Sequence, residues 1–218
     1  MTATPAQVRQ LAPAQPSLAA LDALVRSCTA CPELAVTRTQ VVPGVIPDAP
    51  RLLVVGEAPG AQEDTSGLPF IGRSGQLLDE LLADVGLQRA QVAVLNTLKC
   101  RPPGNRAPTR AESAACRTWT ERQLALSAAP VVVAPVVVAL GLSAARWFLG
   151  PTSLAAVRGR AHDVVVAGRA LRVVPTYHPS AALRFGPKGE PRRLLREDLG
   201  LAVGLALAVG LALEVGPA

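Results

Sequence analysis

Aromatic side chains are scarce in this chain: three Phe, two Trp and one Tyr among 218 residues, or 3%. With 50% of the residues apolar, Ala, Leu and Val are left to fill the interior. The opening stretch MTATPAQVRQLAPAQPS lacks the basic-then-apolar order of a secretory signal, which makes a cytoplasmic location the expectation. The uncharged run LGLAVGLALAVGLAL, Leu199 to Leu213, is shorter than the roughly 20 residues that span a bilayer. A packed or dimerising C-terminal helix is expected there, and no membrane partner. Neither GxGxxG nor GxxxxGK[ST] occurs, so the glycine-rich loop at 56–60 is not a nucleotide-binding fingerprint.

What is present begins with a mild excess of positive charge. The 22 Lys plus Arg against 16 Asp plus Glu give a formal +6, nearly all of it on arginine. That balance permits a polyanionic partner without requiring one, and the arginine fork suits phosphate oxygens. Residues 1–17, rich in Ala, Pro and Gln, read as a flexible N-terminal segment. Residues 18–200 read as a single domain and 201–218 as an apolar C-terminal helix or tail.

Within the domain, apolar strands alternate with helical patterns. Leu18 to Val25 has helical spacing with Ser17 as its cap. A strand over Arg51–Val55 enters the turn Gly56-Glu-Ala-Pro-Gly60. Leu77, Leu78, Leu81, Leu82 and Val85 share one face of a helix that starts near Ser74 and that Gly86 ends. A second strand, Val92 to Leu95, leads into Asn96-Thr-Leu-Lys-Cys100 and the turn Arg101-Pro-Pro-Gly-Asn105. Thr109 and Glu112 have capping-box spacing for a helix to about Leu126. A third strand lies within Val131–Leu140, interrupted by Pro135. Ser143 to Leu149 is a short helix, two strands follow at Val164–Val166 and Leu171–Val174, and a last helix starts near Pro191. This alternation indicates a three-layer α/β/α domain with a mostly parallel sheet. Ligands bind such sheets beyond the carboxyl ends of the strands. The polar loops 56–70, 96–106 and 176–184 all lie at such ends and point to one composite site.

Cys28 and Cys31 form a close pair, followed by Cys100 and Cys116. A cytoplasmic chain has little use for structural disulfides, so the thiols suggest a metal centre. Spacing leaves zinc and iron–sulfur both open. With two histidines in the chain, a four-sulfur site fits better than a mixed one. Four protein sulfurs leave no open metal position, so the role would be architectural.

Taken together, Gly56-Glu-Ala-Pro-Gly60, Glu63-Asp64, Gly67-Leu-Pro-Phe70, Gly72-Arg-Ser-Gly75, Asn96, Lys99-Cys-Arg-Pro-Pro-Gly-Asn-Arg106 and His178-Pro-Ser180 resemble the family 4 uracil-DNA glycosylases, the bacterial and archaeal iron–sulfur type. The resemblance runs in order from about residue 25 to 200. It implies a uracil-DNA glycosylase-like fold with a four-stranded central sheet. It also implies a [4Fe-4S] cluster on Cys28, Cys31, Cys100 and Cys116. The implied enzyme is a monomer that hydrolyses the N-glycosidic bond of uracil in DNA, leaving an abasic site for base excision repair. A related branch binds uracil covalently through a histidine in an inserted basic loop. No such insertion follows Gly72, and Ala58 stands in the first motif, so turnover is the expectation and a covalent or non-turning-over uracil-DNA binder the alternative.

The resemblance implies a role for each motif residue. Phe70 stacks on the flipped base, and Asn96 reads its N3–H and O4 edge, a pattern that cytosine reverses. His178 faces uracil O2, where charge develops as the bond breaks. Glu57 positions water or stabilises positive charge on the sugar. Gly56 and Ala58 frame the base, and Glu63 is a further acid beside it. Lys99, Arg101, Arg106, Ser180 and Arg184 are expected at the DNA backbone, with Leu183 supporting the flipped state.

Overall fold

Among the described residues, five apolar runs pair into one sheet in the computed structural model, which describes residues 4–127 and 135–214. They are β1 (Leu52–Gly56), β2 (Val92–Asn96), β3 (Val136–Leu140), β4 (His162–Val166) and β5 (Arg169–Thr176), in the spatial order β2-β1-β3-β5-β4. The first four in that order are parallel, and β4 adds an antiparallel edge. The sheet therefore has five strands, not the expected four. The fifth arises because Ala167 and Gly168, with φ of 48° and 79°, make a two-residue turn that folds β4 back along β5. Val131–Ala134, part of the expected third strand, lies outside the described residues.

Every residue of β1, β2 and β3 is buried, as strands covered on both faces must be. Side chains alternate between the faces. Leu52, Val54, Val92, Val94, Val136 and Val138 pack against α5 (Arg73–Asp84), α9 (Pro179–Phe185) and α10 (Glu190–Glu214). Leu53, Val55, Ala93, Leu95, Val137 and Ala139 face α6 (Arg110–Leu126) and α7 (Gly141–Leu149). The remaining helices are α1 (Pro5–Ala14), α2 (Leu18–Arg26), α3 (Pro32–Thr37), α4 (Ala61–Ser66) and α8 (Leu154–Val157). The three N-terminal ones form a separate apolar cluster with α6 around Leu21, Leu34 and Trp119.

Two boundaries differ from expectation. Residues 5–14, read as part of a flexible segment, form a helix with a Thr4–Gln7 capping box. Its Val8 and Ala12, one turn apart, are completely buried in the cluster with α6, which outweighs the loose composition. The boundary drawn at residue 200 falls inside α10, whose Leu195, Leu199 and Ala202 pack continuously on the sheet. Among the described residues no helix is long and apolar enough to cross a membrane.

Candidate active site

After β1 the chain moves to one side to form β2, then to the other to form β3, so the strand order reverses at β1. A crevice opens beyond the strand ends at such a reversal. There the structure has a cleft of about 470 Å³, lined from four strand ends: Glu57 to Gly60 after β1, Asn96 at the end of β2, Leu140 to Ser143 after β3, and His178 and Ser180 after β5. Phe70, Glu63 and Arg106 complete the wall. The three loops singled out in the sequence do converge. The fourth segment, Leu140 to Ser143, is not among the sequence-derived candidates, and its only signal is a glycine directly after a strand. Gly141 has a φ of 86°, and a Cβ there would stand 3.1 Å from His178 Cβ.

Asn96 is 2% exposed, and its Oδ1 has no hydrogen-bond partner although it is buried on the cleft wall. A buried, unpaired acceptor is costly unless a ligand supplies the donor. Gly56 keeps the space in front of it open. A Cβ at Gly56 would come within 2.5 Å of Asn96 Oδ1 and 2.6 Å of Phe70 Cζ, so both groups look onto one gap that any larger residue would fill.

Phe70 has a φ of 53°, a left-handed conformation unusual for an aromatic residue. The contacts on either side hold it. Arg89 Nη2 donates to the carbonyl of Pro69 at 2.6 Å, while Ile71 and Gly72 N–H groups donate to Glu63 Oε1 at 2.9 Å each. Glu63 Oε2 accepts from Gly60 N–H at 3.1 Å. Glu63 is 9% exposed and its oxygens serve backbone N–H groups of both loops. It therefore braces the first motif against Phe70 while also lining the cleft, where the sequence places a substrate-binding acid. Gly75 fits under this turn: a Cβ there would overlap the Phe70 carbonyl oxygen at 1.7 Å.

His178 caps α9, and its Nδ1 accepts from Ser180 N–H at 3.1 Å, with Ser180 Oγ at 2.8 Å. An amide can only donate, so Nδ1 carries no proton and a neutral ring must hold its proton on Nε2. Burial keeps the ring neutral by lowering its pKa from 6.5 to about 4, with Glu63 acting weakly the other way. The ring lies 5.7 Å from the Phe70 ring, centroid to centroid. The cleft thus offers an acceptor from Asn96, a neutral imidazole and an aromatic wall. Glu57 and Ala58 line it too, half-buried, and the Glu57 carbonyl accepts from Leu98 N–H at 2.9 Å.

Cys28, Cys31, Cys100 and Cys116 line a second, much smaller cavity of about 10 Å³, walled by Leu34, Val41, Leu98 and Trp119. Arg38 Nη1 donates to Cys100 Sγ at 3.2 Å, and Lys99 N–H donates to Cys116 Sγ at 3.3 Å. Burial pushes the Cys31 and Cys100 thiols up to about 11 and raises Cys116 as well. Such thiols ionise only beside a cation. Among the described residues no three His, Cys, Asp or Glu side chains close round a single-ion site.

The expected DNA-contacting residues separate. Ser180 and Arg184 are exposed, and Ser180 lies at the cleft. Arg101 Nε donates to Asn105 Oδ1 at 2.7 Å. Arg106 lines the cleft but is clamped to Glu112 by two hydrogen bonds of 2.9 and 2.7 Å, which hold the Glu112 carboxyl down to about 2. Leu183 is half-buried against the sheet-packing helices rather than projecting. Lys99 is corrected outright: it is 1% exposed and its ammonium donates to the Asn96 carbonyl at 2.6 Å, so it cannot reach a phosphate.

The chain belongs to the uracil DNA glycosylase superfamily, whose family model matches residues 43–200. Within it, the type-4 uracil-DNA glycosylase of Thermotoga maritima is 42% identical over 177 residues, covering 80% of this chain and 87% of that protein. The type-4 uracil-DNA glycosylase of Archaeoglobus fulgidus is 41% identical over 171 residues, 75% of this chain and 83% of its own length. A type-5 uracil-DNA glycosylase of Mycobacterium leprae is 33% identical over 213 residues, 82% of this chain and 91% of that protein.

Proposed function

We propose that the chain is a type-4 uracil-DNA glycosylase, which hydrolyses the bond between uracil and deoxyribose in DNA and starts base excision repair. The observation that carries this reading is the unpaired Asn96 Oδ1 opposite a neutral His178 in one cleft. Uracil has to leave the stack to be reached. Once flipped, it lays its face on Phe70, its N3–H donates to Asn96 Oδ1, and its O4 accepts from the same amide. Cytosine has an acceptor at N3 and a donor at C4, so each of these contacts would oppose it. As the N1–C1′ bond breaks, negative charge gathers on O2, and His178 Nε2–H donates to it. A neutral donor in a desolvated site stabilises that charge without having to lose a proton. Glu57 supports positive charge on the sugar and orients the water that attacks C1′. Ser180, Arg101, Arg106 and Arg184 serve the DNA backbone at the rim, and their contribution falls as salt rises.

We also assign a [4Fe-4S] cluster to Cys28, Cys31, Cys100 and Cys116. Their shared apolar cavity and the N–H donors to Cys100 and Cys116 sulfurs fit that group. When bound, it would supply the positive iron that keeps the four thiolates ionised, two of them buried, and would cross-link the N-terminal helices to the loop after β2 and to α6. A cytoplasmic monomer acting on uracil-containing DNA suits this role.

The test is product analysis with an oligonucleotide carrying one uracil, supplied in excess over iron-loaded protein. Free uracil and abasic sites beyond one per protein are expected. A denaturation-resistant protein–DNA adduct in place of free uracil would identify the covalent alternative, and neither product would remove the assignment.

A further inference from the structure

We infer that Lys99 is a positioning residue that joins the thiol cavity to the base pocket, acting as internal counter-charge on one side and as the clamp on Asn96 on the other. This rests on the uracil-pocket reading and deepens it. Lys99 is 1% exposed and lines the thiol cavity with all four cysteines. Its backbone N–H donates to Cys116 Sγ at 3.3 Å, and Cys100 follows it in the chain. Its ammonium turns the other way and donates to the Asn96 carbonyl at 2.6 Å.

Asn96 ends β2, so its carbonyl has no further strand to pair with and needs a donor from elsewhere. Lys99 Nζ supplies it, assisted by Thr120 Oγ1 at 3.4 Å, which also reaches the Thr97 carbonyl at 3.3 Å. The residue whose side-chain oxygen waits in the cleft is therefore pinned from behind by a buried cation. Such a cation needs a compensating negative charge. Ion pairs among the described residues all have arginine as the cation. Asp22 is close enough to act on Lys99 electrostatically but makes no ion pair with it, and it accepts from Gln123 Nε2 at 3.5 Å. Thiolates of a bound cluster supply what is missing. Loading of the cavity and the set of Asn96 are then coupled through one side chain.

The experiment measures free-uracil binding by calorimetry on iron-loaded protein for wild type, Lys99→Met, Asn96→Ala and the double variant. Lys99→Met should weaken binding roughly tenfold or more, the effect of losing a charged hydrogen bond. The double variant should bind no more weakly than Asn96→Ala alone, because Lys99 acts through Asn96. The cluster's reduction potential should move to more negative values in Lys99→Met, since a positive neighbour favours the reduced form. If Lys99→Met does not fold, wild type still decides. The chain holds two lysines, Lys99 and Lys188, so ¹⁵N-lysine labelling gives a Lys99 ammonium signal with Lys188 as control. That signal should shift when uracil is added. Wild-type affinity in an iron-loaded Lys99→Met protein, additive losses in the double variant, or a Lys99 signal indifferent to uracil overturns the inference. If Asn96→Ala itself leaves uracil binding unchanged, the pocket reading fails and the clamp with it. Loss in Asn96→Ala but none in Lys99→Met overturns the Lys99 role alone.

Discussion

At the scale of single residues, the site depends on which atoms are left without partners. His178 has its proton on Nε2 because Ser180 N–H occupies Nδ1, and burial holds it neutral with a pKa near 4. The unfolded chain therefore binds a proton between about pH 4 and 6.5 that the folded ring refuses. Its stabilising contribution is complete above the ordinary value of 6.5 and is lost as pH falls through about 4. Imidazole ¹⁵N shifts should report an Nε2–H tautomer for His178 that persists below pH 5. Titration near 6.5 would contradict the neutral ring. Gly56→Ala tests the gap in front of Asn96: the added methyl would meet Asn96 Oδ1 and Phe70 Cζ at under 3 Å. Excision is expected to fall by roughly 10²-fold, the scale of a misplaced reacting group, with the melting temperature changed far less. Asn96, Phe70 and His178 are legible in the sequence through the resemblance of their loops to the family's motifs, since a loop asparagine, a phenylalanine and a lone histidine would otherwise read as structural. Lys99 is not. A lysine amid Arg101 and Arg106 reads as surface charge, and only the turn of the chain beyond β2 carries it inward.

Elements place those residues, and their placement depends on close packing at a few points. The loop from Gly67 to Gly72 is bracketed by Arg89 and Glu63, and α5 docks beneath it through Gly75. Gly75→Ala cannot be absorbed by a rotamer change, because the contact is with the Phe70 carbonyl. It should shift Phe70 and cost about 1–3 kcal/mol in urea unfolding, the range for overpacking. An unchanged midpoint and unchanged uracil binding would refute this docking. Periodicity and capping signals make α2, α5 and α6 legible: Ser17, Gly86 and the Thr109–Glu112 box all act where expected. The helix over Pro5–Ala14 is hidden by its Ala, Pro and Gln content, since two buried residues, Val8 and Ala12, decide it. The edge strand β4 is legible as a short strand at Val164–Val166, but its start at His162 and its place in the sheet are not. The two-residue turn at Ala167 and Gly168 folds it antiparallel against β5 and so makes it the sheet's edge. The segment Leu140 to Ser143 carries no polar signature, so its part in the cleft becomes visible only when β3 and β5 lie side by side.

For the molecule as a whole, the thiol cavity lies where the N-terminal helices meet α6 and the loop after β2, and the proposed cluster would tie these together. The cluster of α1, α2, α3 and α6 side chains meets the sheet through the thiol cavity and the β2–α6 loop. Removing iron by chelation under mild oxidation should lower the melting temperature by roughly 10 °C and expose the N-terminal helices to protease first. An unchanged melting curve after complete loss of iron would remove the architectural role.

The proposed chemistry depends most on Asn96 reading uracil and His178 releasing it in the cleft at the strand ends. The most direct test is single-turnover excision from a uracil-containing oligonucleotide by wild type, Asn96→Ala and His178→Ala, matched for iron content. Each substitution is expected to slow excision by roughly 10²- to 10³-fold, the usual effect of removing one donor to a developing anion or one reader of the base edge. Wild-type rates in both variants would contradict the account.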